Sequence, residues 1–433
     1  MHDKKYLAAL VLLALASGPA PAVAQEVQFA ASVGATHSDN IGRVAEDEVS
    51  ETTATAGLVL GIERQGSRLG ADVAADLQWR NYLDDTYGDE VVGGLAATLV
   101  FAVVPDRFTW TIQDNFGQTL VDRRFAETPD NRQNTNFFTT GPDLYVPLGE
   151  RTRLELSARW SDVAYEDTQA DSERYSGTVG FLRVLGPRSN LGLNGTFERI
   201  EYDDSTPALD FDYDRVSGYL SYGVQGGRTE LELRAGYTTV DGALRTYDAP
   251  LFGLTLTRQV GARSTLEFNA GTNLTDSSDV FTRDQMLGGV DAGTGTVVVS
   301  QDPLRSDYMS LGLSVEGTRS TLRFGVNWTK DEQENFTALD RERLGGSVLL
   351  TRQMSQRLTA RLFGSYATEE IEQGADFDEW VVGAGLEWAF TETFSLALQV
   401  DRNDGSGDTG VGATSRDYVE NRVSLTISYS PRR

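Results

Sequence analysis

Cysteine is absent from all 433 residues. That excludes disulfides, a lipid-modified cysteine behind a leader, and thiolate metal sites. Histidine is nearly absent: there are 2, and only His37 lies beyond the first residues. Cys–His catalysis and His-rich metal centres therefore cannot be assembled within one chain. Lysine is confined to Lys4, Lys5 and Lys330, so arginine carries the positive charge. No segment offers about 18 to 20 unbroken apolar residues, which argues against helical membrane anchoring. Basic surface is also lacking. With 64 acidic against 38 basic residues and a net charge of -26, nucleic acid is not an expected partner. No cofactor is expected either. Glycines such as Gly180, Gly218, Gly236 and Gly312 match no phosphate-binding loop, because no helix follows them, and they read as curvature points or gaps in a strand.

What is present begins with a leader pattern. Lys4 and Lys5 precede the apolar run Leu7 to Ala16, and Ala22-Val23-Ala24 reads as a small-residue cleavage site before Gln25. This predicts a secretory signal peptide over residues 1–24 and one domain over 25–433, with no plug, periplasmic repeat or surface passenger.

That domain is punctuated nine times by a short turn, arginine-bearing in eight of the nine, each followed at once by an alternating apolar strand. The turns are Gln65-Gly66-Ser67-Arg68, Val104-Pro105-Asp106-Arg107, Gly149-Glu150-Arg151-Thr152, Gly186-Pro187-Arg188-Ser189, Gly226-Gly227-Arg228-Thr229, Gly261-Ala262-Arg263-Ser264, Gly317-Thr318-Arg319-Ser320, Met354-Ser355-Gln356-Arg357 and Thr391-Glu392-Thr393. Between successive turns lie two strand-like runs and a longer, mostly acidic loop. Tight turns on one side and long loops on the other are the signature of a transmembrane β-barrel. The mean hydropathy of -0.32 does not conflict with this, because only every second strand residue meets lipid.

Alternation is clear after each turn. Leu154, Leu156, Ala158 and Trp160 oppose Arg153, Glu155, Ser157 and Arg159, and Leu231, Leu233, Ala235 and Tyr237 oppose Glu230, Glu232, Arg234 and Gly236. Leu322, Phe324, Val326 and Trp328 oppose Arg323, Gly325, Asn327 and Thr329. Leu358, Ala360, Leu362 and Tyr366 oppose Thr359, Arg361 and Ser365, with Phe363 the exception on the polar face. Period 2 held over about 9 to 11 residues suits a tilted membrane-crossing strand and exceeds the usual strand of a soluble sandwich. Trp79, Tyr82, Tyr165, Tyr202, Tyr237, Trp328 and Tyr366 at the loop end, and Phe108, Trp110, Phe390, Phe394 and Tyr429 at the turn end, read as two interfacial girdles. The first strand is expected from about Val27 to Ser38 and the last from about Tyr418 to Tyr429. Nine turns and two terminal strands make the fold class all-β: an antiparallel up-and-down transmembrane barrel of about 20 strands, with 18 or 16 as the alternatives. The location that follows is the bacterial outer membrane, with lipid and lipopolysaccharide as partners and the barrel-assembly machinery reading the last strand.

Catalysis is not expected. His37-Ser38-Asp39 holds the residue types of a serine triad, but neighbours on a strand point to opposite sides. Asp210, Asp212 and Asp214 alternate as part of an oxygen-ligand site would, yet no calcium-loop motif surrounds them, and solvated acids are the preferred reading. The longest loop runs from about Asp276 to Ser306 and includes the apolar run Thr296 to Val299. It either folds inward and narrows the pore or remains a surface excursion.

The candidate lumen-lining residues are Arg153, Glu155, Arg159, Glu230, Glu232, Arg234, Glu267, Arg323 and Arg361. Inward arginines suit anionic solutes or sugar acids; the favoured alternative is ion pairing with glutamates on neighbouring strands.

The strand Ala31 to Thr36 followed by Ser38-Asp39-Asn40-Ile41, the repeated Gly-x-Arg-Ser/Thr-x-Leu turns, and the closing Ser424-Leu425-Thr426-Ile427-Ser428-Tyr429 before Ser430-Pro431 together resemble the β-barrel porins found beside exopolysaccharide and exosortase (PEP-CTERM) loci of Gram-negative bacteria. The resemblance covers the whole mature chain and implies a role near polysaccharide secretion, with polysaccharide-secretion components as partners. The leading expectation is a channel passing secreted exopolysaccharide or oligosaccharide. The alternatives are a diffusion porin for uptake and a structural or adhesive surface barrel.

Overall fold

A computed structural model describes residues 25–122, 124–203, 210–242, 245–288, 299–372, 375–408 and 415–431. The leader expected over residues 1–24 lies outside them. Twenty strands follow in chain order: β1 (Gln25–Ser38), β2 (Glu51–Gln65), β3 (Leu69–Tyr82), β4 (Glu90–Val104), β5 (Phe108–Leu120), β6 (Arg132–Pro147), β7 (Thr152–Tyr165), β8 (Ser172–Gly186), β9 (Ser189–Tyr202), β10 (Tyr213–Gln225), β11 (Thr229–Gly242), β12 (Thr246–Gly261), β13 (Ser264–Thr275), β14 (Leu304–Glu316), β15 (Ser320–Gln333), β16 (Arg341–Gln353), β17 (Leu358–Ile371), β18 (Ala375–Ala389), β19 (Phe394–Asp408) and β20 (Tyr418–Tyr429). One α-helix, α1 (Ser277–Gly288), lies between β13 and β14.

Each strand pairs antiparallel with the next, and β20 pairs back onto β1, setting Ala31 opposite Tyr429 and Ser38 opposite Arg422. The sheet closes on itself and has no edge. In hydrocarbon that is the sole way a sheet can satisfy every backbone group. All nine turns fall between strands where the sequence pattern puts them. Three entering strands, β4, β8 and β12, shift register just before their turns. In the first of these turns Asp106 takes a left-handed backbone with φ 60°, a conformation Asp tolerates better than most residues.

The register assigns the two faces. Leu193, Leu220 and Leu362 are 59, 54 and 55 % exposed on the outward side, and their strand neighbours point into the bore. A closed barrel with this apolar exterior is an integral outer-membrane protein. The strands are 12 to 16 residues long, longer than the 9 to 11 expected, because each continues past the apolar belt into a polar extension at the loop end. That extension changes the aromatic assignment. Trp79, Tyr237, Trp328 and Tyr366 face outward, but Tyr82, Tyr165 and Tyr202 are buried on the inward side and belong to the lumen wall rather than to a girdle. Their strand parity is opposite to that of the lipid-facing residues. At the turn end, Trp388, Phe390, Phe394 and Tyr429 form a chain of ring contacts beside the closing seam. Other outward acids among the described residues stand in the polar extensions at the loop end, but Asp114, a buried side chain midway along β5, lies within the apolar belt, paired with Ala97 and Phe138 on the adjacent strands.

The expected alternation of Asp210, Asp212 and Asp214 on one strand face is not realised. β10 begins at Tyr213, and the Asp210 carboxylate accepts from the Asp212 amide while Asp212 accepts from Tyr202 N. Two of the three acids are spent on turn hydrogen bonds, which fixes them ahead of the strand.

Candidate pore and its inward loop

The structure places Arg153, Glu155 and Arg159 on the inward face of β7, Glu230, Glu232 and Arg234 on that of β11, Glu267 on β13, Arg323 on β15 and Arg361 on β17. Three of the arginines are ion-paired. Arg153 pairs with Glu155, Arg234 with Glu232 at 2.6 Å, and Arg159 with Asp143 of β6 at 2.6 Å while also donating to Pro142 O. Two of these pairs run along one strand rather than between strands as anticipated. Residues two apart share a face about 7 Å apart, within reach of an arginine. Arg323, Arg361, Glu230 and Glu267 make no ion pair among the described residues.

A denser network lies nearer the loop end, where α1 turns into the mouth. Asp276, just ahead of the helix, is buried and accepts from Arg174 on β8 at 2.7 and 2.9 Å and from Tyr213 Oη on β10 at 3.0 Å. Its Oδ1 also accepts from Ser278 N and Oγ, capping the helix. Arg215 of β10 reaches Asp279 at 2.7 Å and also pairs with Glu198 of β9. Burial pushes the Asp276 carboxyl toward its neutral form, but Arg174 and Arg215 outweigh burial and hold it below the usual aspartate value. On the other flank, the Arg283 guanidinium lies 4.4 Å from the centre of the Tyr308 ring and donates to Ser306 Oγ at 2.8 Å. Ser306 in turn donates to Asp331, which is paired with the buried Arg341. Val280 and Phe281 pack on Leu304, while Val299 touches that cluster and a second one formed by Val163, Tyr165 and Ala170 at the wall. The loop is therefore fastened from β7 round to β16, inside the rim. Of its expected apolar run, 296–298 lies outside the described residues.

A second group ties the loops on the opposite side of the mouth. Arg416 lies 3.6 Å from the centre of the Phe377 ring and donates to Phe125 O, and Arg43 pairs with Glu420 at 3.0 Å. Ser38 donates to the same carboxylate at 2.7 Å, away from His37, which hydrogen-bonds Thr52.

Between this level and the charged residues near the turns, the inward wall carries cross-strand pairs of hydroxyls and amides beside the ion pairs Arg159–Asp143 and Arg422–Asp401. Thr36 bonds Ser424, Thr178 bonds Thr196, Ser217 bonds Thr238, Thr238 bonds Asn273, Asn194 bonds Ser221 and Asn269 bonds Ser310, all across strands at 2.9 to 3.3 Å.

The nine residues proposed from sequence lie mainly toward the turn end, where alternation starts cleanly. Sequence reasoning missed Arg174, Arg215, Asp331 and Arg341. They continue the inward parity of their strands, and following that parity past the aromatic positions finds them. Asp276 carried no such signal, since its partners are 102 and 63 residues away. Among the described residues no group of three or more His, Asp or Glu is placed to hold a metal ion.

No protein-family model matches the chain, and no curated protein sequence matches it significantly. Many solved structures match in shape. The siderophore receptor PiuA from Acinetobacter baumannii aligns with a TM-score of 0.41 and 10 % identity over 94 % of this chain and 82 % of its own. The siderophore receptor PirA from Pseudomonas aeruginosa gives 0.42 and 11 % over 94 % and 81 %, and OmpT, an outer membrane protein of Vibrio cholerae, 0.36 and 11 % over 95 % and 99 %. At such identities and scores the likeness is to membrane barrels in general and carries nothing about cargo.

Proposed function

We propose that this outer-membrane barrel is a passive channel for a carbohydrate chain, with secreted exopolysaccharide or an oligosaccharide as its solute. The observation that carries the reading is the belt of hydroxyls and amides on the inward wall at mid-depth. Such groups exchange hydrogen bonds with sugar hydroxyls at little net cost, so a glycan slides without a deep trap. Neutralised arginines at Arg153, Arg159 and Arg234 fit the same picture, because a strongly charged bore would hold or exclude charged chains. The reading includes no catalysis, since Ser38 and His37 point to opposite faces. It takes lipopolysaccharide as the surrounding lipid, the barrel-assembly machinery as the route of insertion, and polysaccharide-secretion components as periplasmic partners.

Gene deletion tests it. Loss of extracellular polymer with material trapped in the periplasm, restored by complementation, is the expected result; unchanged polysaccharide in both compartments overturns export. A second reading, a size-limited diffusion pore for uptake, draws on the inward α1 loop, which narrows the mouth. It predicts conductance blocked by a nutrient glycan and no polysaccharide phenotype.

A further inference from the structure

We propose that the wall formed by β15 to β18 carries a binding site for an acidic sugar unit, a uronate or a comparable carboxylated residue, read by Arg323 and Arg361 beside an apolar floor of Leu349 and Phe363. The proposal rests on the carbohydrate reading above and specifies the chemistry of its solute.

Four observations converge. First, Arg323 and Arg361 are exposed to the bore and make no ion pair or hydrogen bond among the described residues, whereas Arg153, Arg159 and Arg234 are each neutralised by a carboxylate. In a chain with 64 acids and 38 bases, unpaired inward arginines are the departure to be explained. The inward acids nearest to them on adjacent strands are Glu387, opposite Thr359 and diagonal to Arg361, and Glu316, opposite Thr321 and diagonal to Arg323; neither forms an ion pair with its arginine. Second, the register puts an apolar pair between the charges: Arg323 is opposite Leu349, Leu349 is opposite Phe363, and Arg361 is two residues from Phe363 on the same face. With strands about 4.8 Å apart, Arg323 and Phe363 are about 10 Å apart at the backbone, a span two guanidinium side chains cover. Third, Phe363 is the residue that breaks the polar face of β17, and its ring lies along the wall. A Cβ on Gly383 would come 2.2 Å from the ring's ζ carbon, so the glycine makes room for it. Fourth, Gly385 stands directly opposite Arg361, and Gly325 and Ser347 face each other beside Arg323, leaving space above the floor.

The chemistry that suits this surface is specific. A pyranose presents an apolar C–H face that packs on an aromatic or aliphatic floor, and a ring carboxylate takes paired N–H donors from a guanidinium. A neutral glycan uses only the floor. Both arginines are the fourth residues of their strands, counted from the turn end, so the site lies toward the periplasmic opening, below the α1 loop.

The test is calorimetric titration of the full barrel in detergent with tetragalacturonate and, separately, maltotetraose. It needs no open extracellular mouth. The expected result is binding of the acidic tetramer at least tenfold tighter than of the neutral one, weakened by salt. Arg323→Gln and Arg361→Gln are each expected to lower acidic-tetramer affinity about tenfold, Gly383→Ala to lower affinity for both by displacing the ring, and Arg183→Gln, on the outward face, to change neither. Folding of each variant is checked by heat-dependent gel mobility. Equal affinity for the two tetramers, or arginine variants that fold and bind as the parent does, overturns the site. Because binding is read without a secretion phenotype, a bound acidic tetramer in a protein whose deletion leaves polysaccharide unchanged refutes export and keeps the site.

Discussion

Replacing Asp276 by Asn removes the charge that fastens the inward loop. The side chain stays the same size and still caps α1, but Arg174 and Arg215 lose their shared buried counter-ion. Arg174 then keeps Asp279 at 3.5 Å as its ion-pair partner and the Phe137 ring beneath it. Breaking a buried pair on one side costs about 3–5 kcal/mol, enough to shift a fastened-to-released equilibrium by about a hundredfold or more. Twenty strands about 4.8 Å apart and tilted about 40° make a backbone circle roughly 40 Å across. Inward side chains reduce the bore to roughly 25 Å, and a helix about 10–12 Å wide occupies roughly a fifth of that section. Release of the helix is therefore expected to raise single-channel conductance about 1.2-fold and to increase open-state noise. The assay is conductance of purified protein in planar bilayers, with heat-dependent gel mobility to show that the variant barrel is closed. A folded Asp276→Asn barrel with parental conductance refutes the claim that this ion pair holds the loop.

The pH dependence of the same latch has a definite sign. The folded Asp276 carboxyl lies below its ordinary value, so its contribution is present above the unfolded aspartate range of about 3.9 and is lost as pH falls through the depressed folded value. Parental conductance should therefore be flat from neutral pH down to about 4.5 and rise only in stronger acid; a rise near pH 6 would contradict the assignment. Asp114→Leu removes an acid from the middle of the lipid-facing wall and should stabilise the barrel by about 1–2 kcal/mol, read as a higher urea midpoint in lipid vesicles. A midpoint unchanged or lowered would show that Asp114 is held by a partner outside the hydrocarbon.

The barrel was legible because its constraints are local. Turn chemistry at Gly149 to Thr152 or Gly226 to Thr229 fixes where the chain reverses, and alternation at Leu154 to Trp160 fixes which side meets lipid. Both survive without knowledge of any distant residue. The expected terminal strand, Tyr418 to Tyr429, coincides with β20, and the expected first strand differs from β1 by two residues. What stayed hidden depends on distance in space. α1 has little amphipathic contrast of its own and is stabilised by Asp276, Val280 and Phe281 meeting walls far away in sequence. Tyr82, Tyr165 and Tyr202 sit at girdle height along their strands, but their parity turns them into the bore. Arg153 and Arg234 pair two positions along their own strands, a spacing that alternation does not distinguish from a neighbour on the next strand.

Alternate residues of each strand face water in a bore and lipid outside. A chain without cysteine permits a clean test by single-cysteine scanning along β16 in intact outer membranes with a water-soluble maleimide. Ser347→Cys and Leu349→Cys are expected to label readily, and Val348→Cys and Leu350→Cys to label poorly. Uniform labelling along the strand, or the opposite parity, would contradict a water-filled transmembrane barrel with this register.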